Sequence, residues 1–193
     1  DHHDIGPGLA GLLVSVVLFA HAVFFIPATM LSGRMPVKLA FGLGWLLSGA
    51  TVFTFLIDSF PVFVTLRAIF GLGLCLTFPV TARIVMGWFK ARELPVVNSL
   101  NVTAFTVGLG TGTFIAIPIT LRLGWENTFS MFGAILLAGG LAWLLIIKLP
   151  EDKTTATNLH TVTDIMRVMR SKITLLVGLA DGVILAQFFA LTA

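Results

Sequence analysis

Charge is what this sequence has least of. Asp, Glu, Lys and Arg together make up 11% of its 193 residues, whereas an ordinary globular domain carries about 25%. The scarcity excludes a soluble domain of the usual kind, because long stretches have no wet surface on which to place charge. Cysteine occurs once, at Cys75 inside an apolar run, so no disulfide framework and no cysteine metal site can form within the chain. The four histidines, His2, His3, His21 and His160, fall in no metal-ligand spacing, and His2 and His3 read as terminal surface residues or tag-like remnants. There is no Walker loop and no His-Glu-x-x-His. Gly108, Gly110 and Gly112 follow a helical apolar run rather than a strand, so they form no nucleotide fingerprint. The acidic start Asp1-His2-His3-Asp4 lacks the basic n-region of a signal peptide. Neither an enzyme nor a cofactor or metal site is expected.

What the sequence does hold is apolar: 57% of residues, with a mean hydropathy of +1.02. A membrane helix needs about 20 mostly apolar residues, and six stretches reach that length. They run from Gly8 to Met30, Leu39 to Ile57, Val62 to Phe89, Leu94 to Leu121, Thr128 to Ile147, and Ile173 to the last residue. The linkers are short except for Pro150–Lys172, whose shift in composition marks a domain boundary. Within it, Thr161–Arg170 places Val162, Ile165, Met166 and Met169 on one face, as in a short amphipathic helix lying on a membrane surface. The expected organisation is a five-span half bundle over residues 1–149, a linker over 150–172 and one further span over 173–193. Because the sequence starts at Asp1 and stops inside an apolar run, it reads as a piece of a longer protein.

Net charge is +3 and the pI about 9.5. The basic residues sit between apolar spans, so they speak for membrane orientation and against nucleic acid as a partner. Gly33–Lys38, Arg83–Arg92 and Lys148–Lys172 hold ten of the twelve Lys and Arg residues, and all three fall on one side if each stretch crosses once. The other side has Arg122 with Asp1, Asp4, Asp58 and Glu126. The positive-inside rule makes the basic side cytoplasmic.

Glycines cluster inside the spans, and Gly108 and Gly112 have the spacing of a small-residue packing face. Pro27, Pro79 and Pro118 each free a backbone carbonyl, either for a moving bend or for a static kink. Among polar residues Arg67 is the sharpest case, ~9 Å along the third helix from Pro61 at ~1.5 Å per residue. It either lines a cavity and attracts an anion or a carboxylate of another helix, or it snorkels or makes a structural ion pair. His21 is either a proton relay or substrate contact, or a neutral side chain hydrogen-bonded between helices. Asp181 and Gln187 lie in the last span, where Asp181 either pairs with an arginine or binds a coupling proton, or serves a kink or gate. Asn98, Asn101, Thr103 and Thr106 either polarise a cavity or, for the threonines, bond back to their own helix.

Four motifs now bear on identity. The run Pro27-Ala28-Thr29-Met30-Leu31-Ser32-Gly33-Arg34-Met35-Pro36-Val37-Lys38 resembles the cytoplasmic signature between helices two and three of major facilitator transporters, roughly G-x-L-a-D-R-x-G-R-K. Arg34 and Lys38 match its basic positions, while Gly33 replaces the usual Asp and Pro36 the usual Gly. The family's Asp belongs to a charge latch at the cytoplasmic face, and that carboxylate is lost here. Arg67-Ala68-Ile69-Phe70-Gly71 is similar to R-x-x-q-G of the fourth helix, with Phe70 in place of Gln. Trp88-Phe89-Lys90-Ala91-Arg92-Glu93 is similar to the W-F-x-x-R-E turn before the fifth helix, and Gly124-Trp125-Glu126-Asn127-Thr128-Phe129 to the G-W-R-x-x-F start of the sixth. The Gly-Pro antiporter signature is only partial, since Thr113 follows Gly112.

This resemblance covers nearly the whole chain and implies an all-α polytopic membrane protein. The fold would be a partial major-facilitator-type bundle of family helices two to seven, with the first helix and most of the C-terminal half lacking. It implies a multi-pass protein of the cell (inner) membrane. Its partners would be the lipid bilayer, a small-molecule solute, a coupling proton, and the remainder of the transporter chain. The implied activity is secondary active transport of a small solute, in flavour an organic or inorganic anion, by alternating access. A non-transporting receptor or scaffold on the same fold is the alternative. Arg67, His21 and Asn101 are the expected substrate contacts, with Arg67 implied to face the central cavity. Arg34, Lys38 and Arg92 are expected to serve the cytoplasmic gate.

Overall fold

The computed structural model describes residues 7–57 and 59–148. They belong to the first of two compact units, Asp1–Thr155; the second, Ala156–Ala193, lies outside the described residues. So do the expected linker over 150–172, its amphipathic helix and the sixth span from Ile173.

Within the described residues the chain forms five stretches long and apolar enough to cross a membrane. They are α1 (Pro7–Arg34), α2 (Val37–Gly49) continued by a 3-10 segment (Ala50–Leu56), α3 (Phe60–Trp88), α4 (Leu94–Leu123) and α5 (Trp125–Ile146). These are the first five expected spans, with ends shifted by a few residues. The largest shift is at the first linker. Gly33 and Arg34 finish α1 and Lys38 lies in the first turn of α2, so the turn shrinks to Met35-Pro36. Proline marks the starts: Pro36 caps α2, while Pro61 and Pro95 stand in the first turns of α3 and α4, where a missing N–H costs nothing. Gly124, at φ 82°, separates α4 from α5 in a conformation that side chains disfavour.

Helix α3 is the centre of the unit, packing on both α1 and α2, while α5 packs on α2 and its 3-10 extension. Close approach rests on glycine. At Gly73 an added Cβ would lie 2.6 Å from the Gly44 carbonyl oxygen, so α2 and α3 touch backbone to backbone. Gly133 likewise lets α5 press against the backbone of Thr51 and Val52. In lipid, where apolar contact alone drives little association, such fits matter most.

The second span changes helix type halfway, and its partners explain why. Thr51 and Thr54 donate from their hydroxyls to the carbonyls of Ser48 and Thr51, three residues back. The Phe55 N–H donates to Ser130 Oγ of α5 at 2.9 Å. That contact gives a backbone amide of the 3-10 segment a side-chain acceptor on α5. Together α2 and the 3-10 segment reach ~34 Å, from ~1.5 and ~2.0 Å per residue, enough for a ~30 Å hydrocarbon core.

Four hydrogen bonds fix which ends lie together. Trp143 Nε1 donates to the Lys38 carbonyl at 3.1 Å, joining the end of α5 to the start of α2. Arg83 of α3 donates to the carbonyls of Ser32 and Met35. The Phe55–Ser130 bond joins the other ends. The helices therefore alternate in direction, and Arg34, Lys38 and Arg83 share one end with Lys148, which follows α5.

Helix α4 stands apart. None of its residues is buried, and nothing lies within 4 Å of the Cβ positions of Gly108, Gly110 or Gly112. The expected Gly108–Gly112 packing face is thus open among the described residues. The glycines that pack helices together are those of α2, α3 and α5. Large apolar side chains such as Phe114 and Leu121, 80% and 82% exposed, point away from the rest of the chain. In water so much apolar exposure marks an interaction surface; on a membrane span it suits lipid or a neighbouring helix.

Candidate functional site

Arg67 emerges from the second turn of α3, one turn beyond Phe63 and on the same face. Phe63 is buried, and its ring meets Trp125 and Phe129 of α5 with centroids 5.0 and 5.8 Å apart. Trp125 and Phe129 lie 6.3 Å apart. The guanidinium carbon of Arg67 sits 3.8 Å from the centre of the Phe129 ring and 5.4 Å from that of Phe63. Its Nε is buried and has no hydrogen-bond partner among the described residues. Burying a charged donor without an acceptor is expensive, because its lost hydration goes unrepaid. Ring faces attract the cation but accept no hydrogen bond from Nε of normal strength.

His21 lies elsewhere, between α1 and α3. Its Nδ1 is 3.7 Å from Cys75 Sγ, and the thiol is 3.6 Å from the His21 carbonyl and 3.9 Å from that of Ala20. Phe25 and Phe78 flank the imidazole at 5.0 and 5.6 Å. Cys75 is eight residues after Arg67, so His21 and Arg67 are offset by ~12 Å along the helix axis. Asn101 is on α4 and exposed, and its side chain makes no hydrogen bond within the described residues. Its neighbours Thr103 and Thr106 bond back to the carbonyls of Ser99 and Val102. Arg67, His21 and Asn101 are therefore on three different helices with no contact among them.

At the basic end, Arg34 is in the last turn of α1, where a cation complements the helix dipole. Lys38 offers its carbonyl to Trp143. Arg92 is 79% exposed and makes only a loose ion pair with Glu93, at 4.0 Å. Glu93 also accepts the Lys90 N–H at 3.0 Å, closing the turn between α3 and α4. Sequence reasoning passed over Arg83, which clasps the end of α1, and the aromatic setting of Arg67. The second was signalled by Phe63 four residues before Arg67 and by Trp125 and Phe129 four residues apart.

The chain is similar to proteins of two bacteria. An uncharacterized protein of Campylobacter jejuni is 25% identical over 166 residues, covering 86% of this chain and 51% of the relative. A probable galactarate/D-glucarate transporter of Escherichia coli is 30% identical over 164 residues, 77% of this chain and 35% of that protein. A hexuronate transporter of Escherichia coli is 32% identical over 75 residues, 37% of this chain and 16% of the transporter. The chain thus spans about half or less of the length of the curated relatives it matches. No solved structure matches it. The profile of the Major Facilitator Superfamily matches residues 1–193. With five membrane-capable helices in alternating directions and a match along its whole length, the chain belongs to the Major Facilitator Superfamily.

Proposed function

We propose that the full-length protein is a secondary carrier of small organic acids, moving them across the cell (inner) membrane by alternating access, with Arg67 receiving a substrate carboxylate. The observation that carries this reading is the buried Arg67 Nε without a hydrogen-bond partner among the described residues. A guanidinium offers a planar fork of donors that fits a carboxylate with two parallel bonds. Two of the relatives quoted above are named for sugar acids, which carry that group. On this reading His21 and Asn101 contribute further polar contacts, and a proton gradient supplies the energy. Arg34, Lys38 and Arg92 act at the cytoplasmic gate. Residues 1–149 form the N-terminal half bundle, joined through residues 150–172 to a second half beginning at residue 173.

The test is ligand-induced thermal stabilisation of the full-length protein by D-glucarate, galactarate, a neutral hexose, inorganic anions and cations. A ligand at 100 times its Kd adds about 2.7 kcal/mol of stability, which a melting curve resolves. The reading predicts stabilisation by the sugar acids but not the hexose, and its loss in Arg67→Ala. Sugar-acid stabilisation retained in Arg67→Ala would make Arg67 structural. Stabilisation by none of the acids would overturn the substrate class.

A further inference from the structure

We infer that Phe129 of α5 is a positioning residue for Arg67, holding the guanidinium by its ring face so that its free edge meets a carboxylate in a fixed orientation. The inference rests on the reading of Arg67 given above and deepens it.

An arginine side chain has four rotatable bonds, and ordering it for a ligand costs rotamer entropy. A cation 3.8 Å from a ring centre in a desolvated place is attracted strongly enough to offset much of that loss. Phe129 is itself held, with Trp125 one turn before it and Phe63 across the helix interface. Phe63 is on the same helix as Arg67 and travels with it, and its ring is the farther of the two, at 5.4 Å. Phe129 is therefore the contact that ties the guanidinium to a second helix. The ring covers one side of the guanidinium, and the Nε edge is turned inward. A carboxylate that approaches in the guanidinium plane, as paired N–H···O bonds require, would leave this ring contact in place. Affinity gained this way comes from preorganisation rather than from a direct contact.

The experiment is a double-mutant cycle on the full-length protein with D-glucarate as the probe. Phe129→Leu and Phe129→Met remove the ring while keeping an apolar side chain, so one can stand in if the other misfolds. Phe129→Tyr keeps the ring. The non-aromatic variants should weaken D-glucarate binding about tenfold, and Phe129→Tyr should bind like the wild type. In the Arg67→Lys background, which keeps a charge but loses the planar fork, Phe129→Leu should cost clearly less than it does in the wild type. Wild-type affinity in both non-aromatic variants, or an equal loss in Phe129→Tyr, would overturn the inference, as would additive losses in the double mutant. These results leave the Arg67 reading standing if Arg67→Ala alone abolishes binding. Failure of the wild type to bind any sugar acid would instead sink that reading, and this inference with it.

Discussion

Arg83 of α3 donates from Nη1 to the Ser32 carbonyl oxygen at 2.5 Å, one residue before the position where Gly33 replaces the aspartate of the family signature. A cation beside the last carbonyls of α1 caps that helix and opposes the negative end of its dipole. The end of α1 is thus held by a side-chain-to-backbone bond, in a chain that lacks the carboxylate at residue 33. Hydrogen bonds to charged groups contribute roughly 1.5–3 kcal/mol. Arg83→Ala should lower the melting temperature of the detergent-solubilised protein clearly more than Arg92→Ala, whose side chain is 79% exposed. Equal effects would show that the clasp on α1 contributes no stability.

The backbone contact between Gly73 and Gly44 leaves no room for a side chain. Gly73→Val should push α2 from α3 and cost at least the ~1–3 kcal/mol typical of overpacking. Gly108→Ala has open space in this chain and better helix propensity, by about 1 kcal/mol. It should leave stability unchanged or raised. A melting curve that falls as far for Gly108→Ala as for Gly73→Val would show that another helix of the assembled protein is seated on α4.

The bond from the Phe55 N–H to Ser130 Oγ crosses 75 residues of sequence and anchors the 3-10 end of the second span. Ser130→Ala removes that bond and should cost about 0.5–1.5 kcal/mol. Hydrogen exchange at Phe55 is the readout, with protection lost in the variant while Ser48 and Gly49 keep theirs. Unchanged protection at Phe55 would place its partner elsewhere.

Much of the fold was legible because a bilayer demands it. Twenty-residue apolar runs and clustered basic residues located five spans and their alternation. Trp125 and Trp143, 18 residues apart on α5 and so ~27 Å along its axis, match the same thickness. What stayed hidden depends on contacts between helices. The switch to 3-10 geometry at Ala50 needs Gly133 and Ser130, far away in sequence. Nor could spacing tell the packed glycines Gly44 and Gly73 from the open Gly108 and Gly112. Arg67 stood out because charge is rare in an apolar run, whereas the pairing with Phe129, itself part of the Gly124–Phe129 motif, takes shape only where α3 and α5 pack together.

The most direct measurement of the central claim is uptake of radiolabelled D-glucarate into proteoliposomes holding the full-length protein, with Arg67→Ala and Arg67→Lys reconstituted beside it. The account predicts saturable uptake by the wild type that an inward proton gradient accelerates. It predicts none for Arg67→Ala, and at most a small fraction for Arg67→Lys, which keeps the charge but loses the planar fork. Wild-type rates in Arg67→Ala, or no uptake of any sugar acid by the wild type, would contradict it.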